Sequence, residues 1–458
     1  MATLKYGSNS LLTLTSRITT PSIHIQKDGN HLYVPLFSGS KGAVVQSGDY
    51  NYTLGGLKVG SYRAAIGREV ANIYVFSSNN TTWILTPNGE LYGCGNNTSG
   101  QQGSGDTTTV KTFTKRASNV KKVSCTYNTT WYIDNNNNLY GCGYNNYGQQ
   151  GSGDTTSVKT FTKRASNVKD VSCSDDTTWY IDTSNNLYGC GYNHSGNQGS
   201  GDTTTVKTFT KRASNVKEVI CSDDTTWYID NNNNLYGCGD NYYGQQGYEN
   251  STDDVLTFTK RAENVKKVSC SENTTWYIDN NNNLYGCGGG GYYGQQGSGD
   301  TTNVKTFTKR ASNVKDVSCT YNTTWYIDNN NNLYGCGANN YGQQGSGDTT
   351  NVLTFTKRAS NVKEVSCTYS STWYIDNNNN LYGCGSNASG NQGSGDTTDV
   401  LTFIKRASNV KEFSCSNNTT WYIDTSNNIY GCGSNISGNQ GSGDTTNVLT
   451  FTKRDYKN

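Results

Sequence analysis

The chain has 458 residues, with 37 Lys plus Arg against 35 Asp plus Glu, a formal net charge of +2 and 32% apolar residues that include 34 Tyr. That balance argues against a bulk nucleic-acid binder, which carries a clear basic excess, and the apolar content is thin for one large conventional core. Aromatics at 12% argue against a disordered chain, 52 Gly without a triplet period exclude collagen, and no run approaches the roughly 18 apolar residues of a membrane span.

From the N-terminus, MATLKYGSNSLLTLTSRITT lacks the basic start, apolar stretch and small-residue cleavage site of a secretory signal. SIHIQKDGNHLYVPLF follows, two alternating runs around Lys27-Asp28-Gly29-Asn30, which predicts a hairpin. Residues 37–60 are rich in Gly and Ser, with short apolar runs at Val44-Val45 and from Tyr52 to Leu57. Residues 1–60 are therefore expected to form a short N-terminal β module, and no chemistry is assigned to them.

The rest of the chain, 61–458, is dominated by a repeat. Trp stands at 83, 131, 179, 227, 276, 325, 373 and 421, and the motif YGCG places Cys at 94, 142, 190, 238, 287, 336, 384 and 432. Eight copies of about 48 residues run from about Glu69 to Arg454. In one copy, VKKVSC, TTWYID, LYGCG and VKTFTKR are each β-rich, with Asn135 to Asn138 as a turn between the second and third and a Gly-rich loop between the third and fourth. Nothing shows helical periodicity. Four short strands per repeat is the pattern of propeller blades, so the expected fold is all-β, a closed β-propeller of eight four-stranded blades. Tyr62 to Arg68, YRAAIGR, is a spare strand candidate, which suggests that the ring closes through a blade shared by both ends of the chain. An open ribbon, with exposed edges, is the alternative.

V-x-x-V-S-C, then TTWYID, then LYGCG-x-N-x-x-G-Q-x-G-x-G-D resembles the repeat of the regulator of chromosome condensation family. The resemblance implies a closed propeller. The copies depart from the family pattern in being slightly short, in numbering eight where seven blades are usual, and in placing Cys where Trp often precedes the Gly. The family's best-known activity, nucleotide exchange on a small GTPase, has no residue-level support in this chain.

Candidate chemistry is sparse. The 15 Cys fall into eight in YGCG and seven in the SC strand, with Ser77 near the equivalent position of the first copy. They are expected to be reduced and buried, behaving as small hydrophobes. Without C-x-x-C and with His only at 24, 31 and 194, no metal is predicted. Asp134-Asn135-Asn136-Asn137-Asn138 superficially resembles a calcium loop but lacks its central Gly and distal Glu, and reads as a hairpin turn. The recurrent Lys-Arg pairs, such as Lys115-Arg116 and Lys163-Arg164, form either a basic ring or charged protection of an outer edge strand, and edge protection is favoured. No catalytic constellation and no cofactor motif is present, so no enzyme is predicted.

The copies differ mainly in two loops. The loop after YGCG carries Tyr144 and Tyr147, Tyr192 and His194, Tyr242 and Tyr243, Tyr292 and Tyr293, then Tyr341; the loop between the first two strands carries Tyr127, Asp175-Asp176, Asp223-Asp224, Glu272, Tyr321, Tyr369 and Asn417. In a meander both loops lie on one face, opposite the near-constant Asn turns. Exposed Tyr with Asn and Ser suits recognition, so Tyr144, Tyr147, Tyr192, Tyr242, Tyr243, Tyr292, Tyr293 and Tyr341 are the candidate ligand-binding residues. The segment 1–60 resembles the short β modules at the front of phage tail-associated proteins. The leading expectation is a virion tail component that binds a protein or surface glycan through this face and virion proteins through its N-terminal module, with no membrane insertion. The alternative is a cytoplasmic scaffold or exchange-factor-like propeller.

Overall fold

The computed structural model describes residues 2–6, 9–14, 22–27, 30–35, 44–47, 50–53, 72–78, 80–248 and 253–457. Contacts divide the chain into two units, Met1–Asn72 with Thr86–Asn88, and Ile73–Leu85 with Gly89–Asn458. In the first, the predicted hairpin forms between Ser22–Lys27 and Asn30–Pro35 and continues an antiparallel meander with Ala2–Tyr6 and Asn9–Leu14. Val44–Ser47 pairs with Tyr50–Thr53.

In the second unit each repeat folds into one four-stranded antiparallel sheet, eight in all. The copy read above gives Val120–Cys125, Thr129–Asp134, Leu139–Gly143 and Val158–Ala165, in that order across the blade. Thr129–Asp134 alternates as expected, but both of its faces are buried, because a blade is packed on each side. Trp131 and Ile133 join Leu139 against Val168, Val171 and Tyr180 of the next blade. Tyr132 points the other way, into Trp83, Leu85 and Leu91 of the preceding one. Each fully buried side chain of this size contributes roughly 1.5–3 kcal/mol, so a chain with few apolar residues spends them where two sheets share them.

The motif glycines follow from this packing. Gly141 lies opposite Trp131 in the sheet, and a Cβ there would come within 2.4 Å of the indole. Gly151 sits under Phe209 of the following blade, where a Cβ would meet the ring at 2.5 Å. That Phe209 in turn meets Trp131 edge-on, with centroids 5.9 Å apart. The Cys of YGCG is a small residue in the same interface, and Cys142 Sγ donates to the Gln101 carbonyl of the preceding blade at 3.3 Å.

The ring is closed, but not by a shared blade. The first blade is continuous from Tyr74 to Ala117 and the last from Val410 to Arg454, and Tyr62 to Arg68 lies outside the described residues. Closure repeats the ordinary blade-to-blade contact. Ser442 bridges Thr112 as Ser104 bridges Thr160, and Phe113 packs edge-on against Trp421 at 5.9 Å. Ile73, Val75 and Ile84 of the first blade join Ile423 and Ile429 of the last in one buried cluster. An interface that satisfies both neighbours leaves no need for a strand exchanged between termini. Beyond the last strand, Tyr456 packs edge-on against Tyr92 of the first blade at 5.3 Å.

Candidate functional site

The Asn turns form one face. Asp134 Oδ1 accepts from the amides of Asn136 and Asn138, Asp134 Oδ2 accepts from Asn138 Nδ2, and Asn137 takes φ +63. The carboxylate is thereby committed to shaping the turn. Lysines of the innermost strands reach the same turns, with Lys121 donating to Asn137 Oδ1, Lys169 to Asn185 and Lys217 to Asn233. A second left-handed Asn recurs between blades, Asn119 at φ +65 in the link Ala-Ser-Asn-Val, to which the sequence analysis assigned no role. Asn135 Nδ2 donates to its side chain at 2.8 Å.

The two variable loops share the other face, as expected from a meander. The Tyr144 amide donates to the Asn128 carbonyl at 2.9 Å, tying the third-strand loop to the first-strand loop. The motif residues inside the longer loop are structural. Asn145 Nδ2 donates to Ser152 Oγ at 3.0 Å and to Asp154, its Oδ1 accepts from the Gln150 amide at 2.8 Å, and Gln150 Nε2 donates to the Cys142 carbonyl at 3.0 Å. What remains free to vary are the tips.

Those tips place the candidate tyrosines as follows. Tyr144, Tyr147 and Tyr192 are half-buried and in mutual contact, Tyr147 and Tyr192 with centroids 4.9 Å apart, and His194 stacks beside Tyr192 at 6.0 Å. Tyr242 packs edge-on against Tyr243 at 4.9 Å and is 67% exposed. Tyr292 is 90% exposed, while Tyr293 is half-buried in the vicinity of Tyr369. Tyr341 is exposed. Tyr321 and Tyr369 of the shorter loops extend the same surface, 6.5 Å apart.

The shorter loops also rim the mouth of the central channel. A depression of about 370 Å³ there is lined by Ser78, Thr126, Tyr127, Asp175, Thr368, Ser416 and Asn417, among others from five blades. Three of these loops reach for the next around the rim: the Tyr127 amide donates to Asp175, the Asp175 amide to Asp223, and the Tyr369 amide to Asn417. Burial and the facing carboxylates of Asp223 and Asp175 push the Asp176 carboxyl up to about 6. Burial and the same neighbours raise Glu272.

Deeper in the channel, the residue three before the Cys of each innermost strand, or before Ser77 in the first blade, forms a belt that the sequence reading missed. It comprises Tyr74, Lys122, Asp170, Glu218, Lys267, Asp316, Glu364 and Glu412. Lys122 pairs with Asp170 and Lys267 with Asp316 across adjacent blades. Glu364 and Glu412 are neighbours without a lysine between them, and burial with Glu364 pushes Glu412 up to about 7. The available signal was the one variable position in V-K-x-V.

All 15 Cys are free thiols, eight buried and seven half-buried. The half-buried set lines the innermost strands, and five of the seven pair with serines of the adjacent blade, as in Ser124 Oγ to Cys173 Sγ at 3.0 Å. Ser77 takes the Cys position in the first blade, against Ser414 Oγ at 2.9 Å. Among the described residues no group of three His, Cys, Asp or Glu side chains could hold a metal ion, and no helix is long and apolar enough to cross a membrane. The Lys-Arg pairs lie on the outermost strands, with Lys115 and Lys163 exposed but Arg116 and Arg164 half-buried. Burial depresses both guanidinium groups, and the lysine is the more exposed member of each of these two pairs.

These features define a closed eight-bladed propeller of a repeat type whose variable, tyrosine-bearing loops lie on one face. The regulator of chromosome condensation (RCC1) repeat model matches residues 120–149 and 314–343, and the same motif recurs in the other copies. Among solved structures the chain is similar to human WBSCR16, at 15% identity over 69% of this chain and 93% of that one, with a TM-score of 0.57. It is similar at 15% identity to Prp20p of Saccharomyces cerevisiae, over 69% of this chain and 85% of that one, TM-score 0.56. It is also similar to yeast RCC1 (Prp20) in its complex with Kap60, at 17% identity over 69% and 83%, TM-score 0.55. These likenesses show the fold. No curated protein matches the sequence.

Proposed function

We propose that this chain is a non-enzymatic binding propeller of the scaffold or exchange-factor type, which holds a protein partner on the face built from its variable loops. The observation that carries this reading is the concentration of loop variation and of the most exposed aromatics on one face, with Tyr292 90% and Tyr242 67% exposed while the remainder of each loop is committed to internal hydrogen bonds. Large exposed aromatics beside polar loop residues are the usual anchors of protein contacts. Structures of Prp20 describe binding to Gsp1p and histones and a complex with Kap60, which supports a protein as the class of partner. The expectation of a virion tail component rested on the N-terminal segment, the missing secretory signal and the near-identical polar repeats, and none of the comparisons supports it. The cellular alternative is the better supported of the two.

The test is capture of partners from extracts of the source cells by wild type and by a Tyr242→Ala, Tyr243→Ala, Tyr292→Ala, Tyr293→Ala variant. Anchor truncation commonly costs about 2 kcal/mol or more, so the variant should lose the captured protein while keeping its melting temperature. Asn136→Ala with Asn232→Ala, at exposed turn positions of the opposite face, should leave capture intact. Asn185, at φ +63, is a poor control because Ala there strains the turn. Loss of capture in the turn variant alone would assign the working face to the other side.

A further inference from the structure

The net charge of +2 conceals a segregation of charge across the disc. None of the loops on the variable face, from 78–80 and 96–109 through 416–418 and 434–447, contains a Lys or Arg. The innermost-strand lysines instead reach the opposite face, where Lys266 and Lys411 donate to Asn282 and Asn427 at 2.9 Å. Cations reach this face only from the outermost strands: lysines such as Lys159 and Lys207 open those strands at the rim, the fourth blade has Leu256 at that position, and Arg261 of the fourth blade lies over the Tyr248 ring, 5.4 Å from its centroid.

Within the variable face, acids and tyrosines alternate over the third to fifth blades. Tyr192 lies in the field of Asp176 and Asp224, Asp224 in that of Asp240, and Tyr243 in that of Asp240, Tyr292 and Tyr321. Glu272 adds a further carboxylate facing Asp223 and Asp224. The carboxylates repel one another and these loops supply no Lys or Arg to offset them. A cation brought to this surface would meet carboxylates for ion pairing and tyrosine faces for cation–π contact, each worth more as water is displaced.

We infer that this exposed aromatic surface docks an extended Lys/Arg-rich segment of its protein partner, with Asp176, Asp224 and Glu272 pairing its cations and Tyr192, Tyr243 and Tyr292 flanking them. The occupant is argued from charge complementarity, and the inference rests on the protein-binding reading above. A neutral or acidic segment would leave the mutual repulsion of the carboxylates unrelieved. A neutral glycan could stack on tyrosine but would bring no cation to the clustered carboxylates.

The probe is a fluorescent octapeptide of alternating Arg and Gly, compared with Gln-Gly and Glu-Gly counterparts and with a neutral maltooligosaccharide, by anisotropy on the full chain. The Arg peptide should bind at least tenfold tighter than the Gln peptide at about 50 mM salt and weaken several-fold by about 300 mM. Asp176→Asn, Asp224→Asn, Glu272→Gln should reduce its affinity about tenfold. This variant is expected to fold, because neutralising mutually repelling carboxylates removes a cost. Lys169→Gln with Lys217→Gln, on the opposite face, should change affinity less than twofold. Equal binding of the three peptides, preference for the oligosaccharide, or full Arg-peptide binding by the neutralised variant would each overturn the inference. If the tyrosine variant loses partner capture while the peptides show no charge preference, the face stands as a protein-binding site and only the cationic chemistry falls.

Discussion

Cys94 Sγ lies 3.4 Å from the backbone carbonyl of Asn439, across 345 residues of chain. The same bond joins Cys142 to Gln101 and Cys190 to Gln149 between consecutive blades. The first and last blades therefore meet as any two neighbours do, and closure is one more copy of a repeated contact.

That equivalence has a measurable consequence. Phe113 at the closure and Phe209 inside the ring each pack edge-on against a Trp of the blade before. Phe113→Ala and Phe209→Ala should destabilise to a similar extent, about 3 kcal/mol each, by chemical denaturation. A closure variant that costs almost nothing would mean that the ring is open in solution.

Two glycines separate packing from backbone strain. At Gly141 a Cβ would strike Trp131 at 2.4 Å, whereas at Gly153, with φ +89, the nearest atom is 3.7 Å away. Gly141→Ala should cost about 3 kcal/mol or more, and Gly153→Ala about 1 kcal/mol, from conformation alone. Melting temperatures in that order check the assignment; the reverse order refutes it.

The thiols should be slow to react. Burial pushes Cys125 and Cys319 up to about 12 and Cys221 up to about 11, and the thiolate is the reactive form. Native protein at about pH 8 should be modified slowly, and denatured, unreduced protein should yield close to 15 thiols. About one thiol per chain would instead show seven disulfides.

Acid should stabilise the ring before it destroys it. Burial, then Glu364, holds Glu412 near 7 against an ordinary 4.5, and burial, then Asp223, holds Asp176 near 6 against 3.8. Between those limits the folded chain binds protons that the unfolded chain has released, so stability falls as pH rises through the folded values. Asp106 and Asp154, lowered by their hydrogen bonds to Thr108 and Ser152, act in the opposite sense, their contribution being lost as pH falls below about 4. The melting temperature should therefore rise from pH 8 towards about pH 5, and Glu412→Gln should flatten the upper part of that slope. A flat profile in the wild type would show that Glu412 and Glu364 are solvated.

Tyr292→Ala should leave stability within about 0.5 kcal/mol of wild type, since the side chain is 90% exposed. A larger loss would place Tyr292 in the packing of its loop.

The amino-acid sequence by itself determined the repeat, the four strands of each blade and the sidedness of the loops. Those properties are local: alternation in TTWYID, left-handed Asn in the turns and a two-residue strand period act over a few residues and recur eight times. It also identified which tyrosines vary. The tertiary structure alone decided how the ring closes, because Phe113 and Trp421 are distant in the chain and their contact depends on the accumulated rotation of eight blades. It decided that the Arg of each Lys-Arg pair turns half inward, and that Lys122, Asp170 and Glu412 share one channel. It decided, too, that acids from three blades converge among the tyrosines of the same blades. Proximity across blades is set by the curvature of the whole ring, which no window of sequence contains.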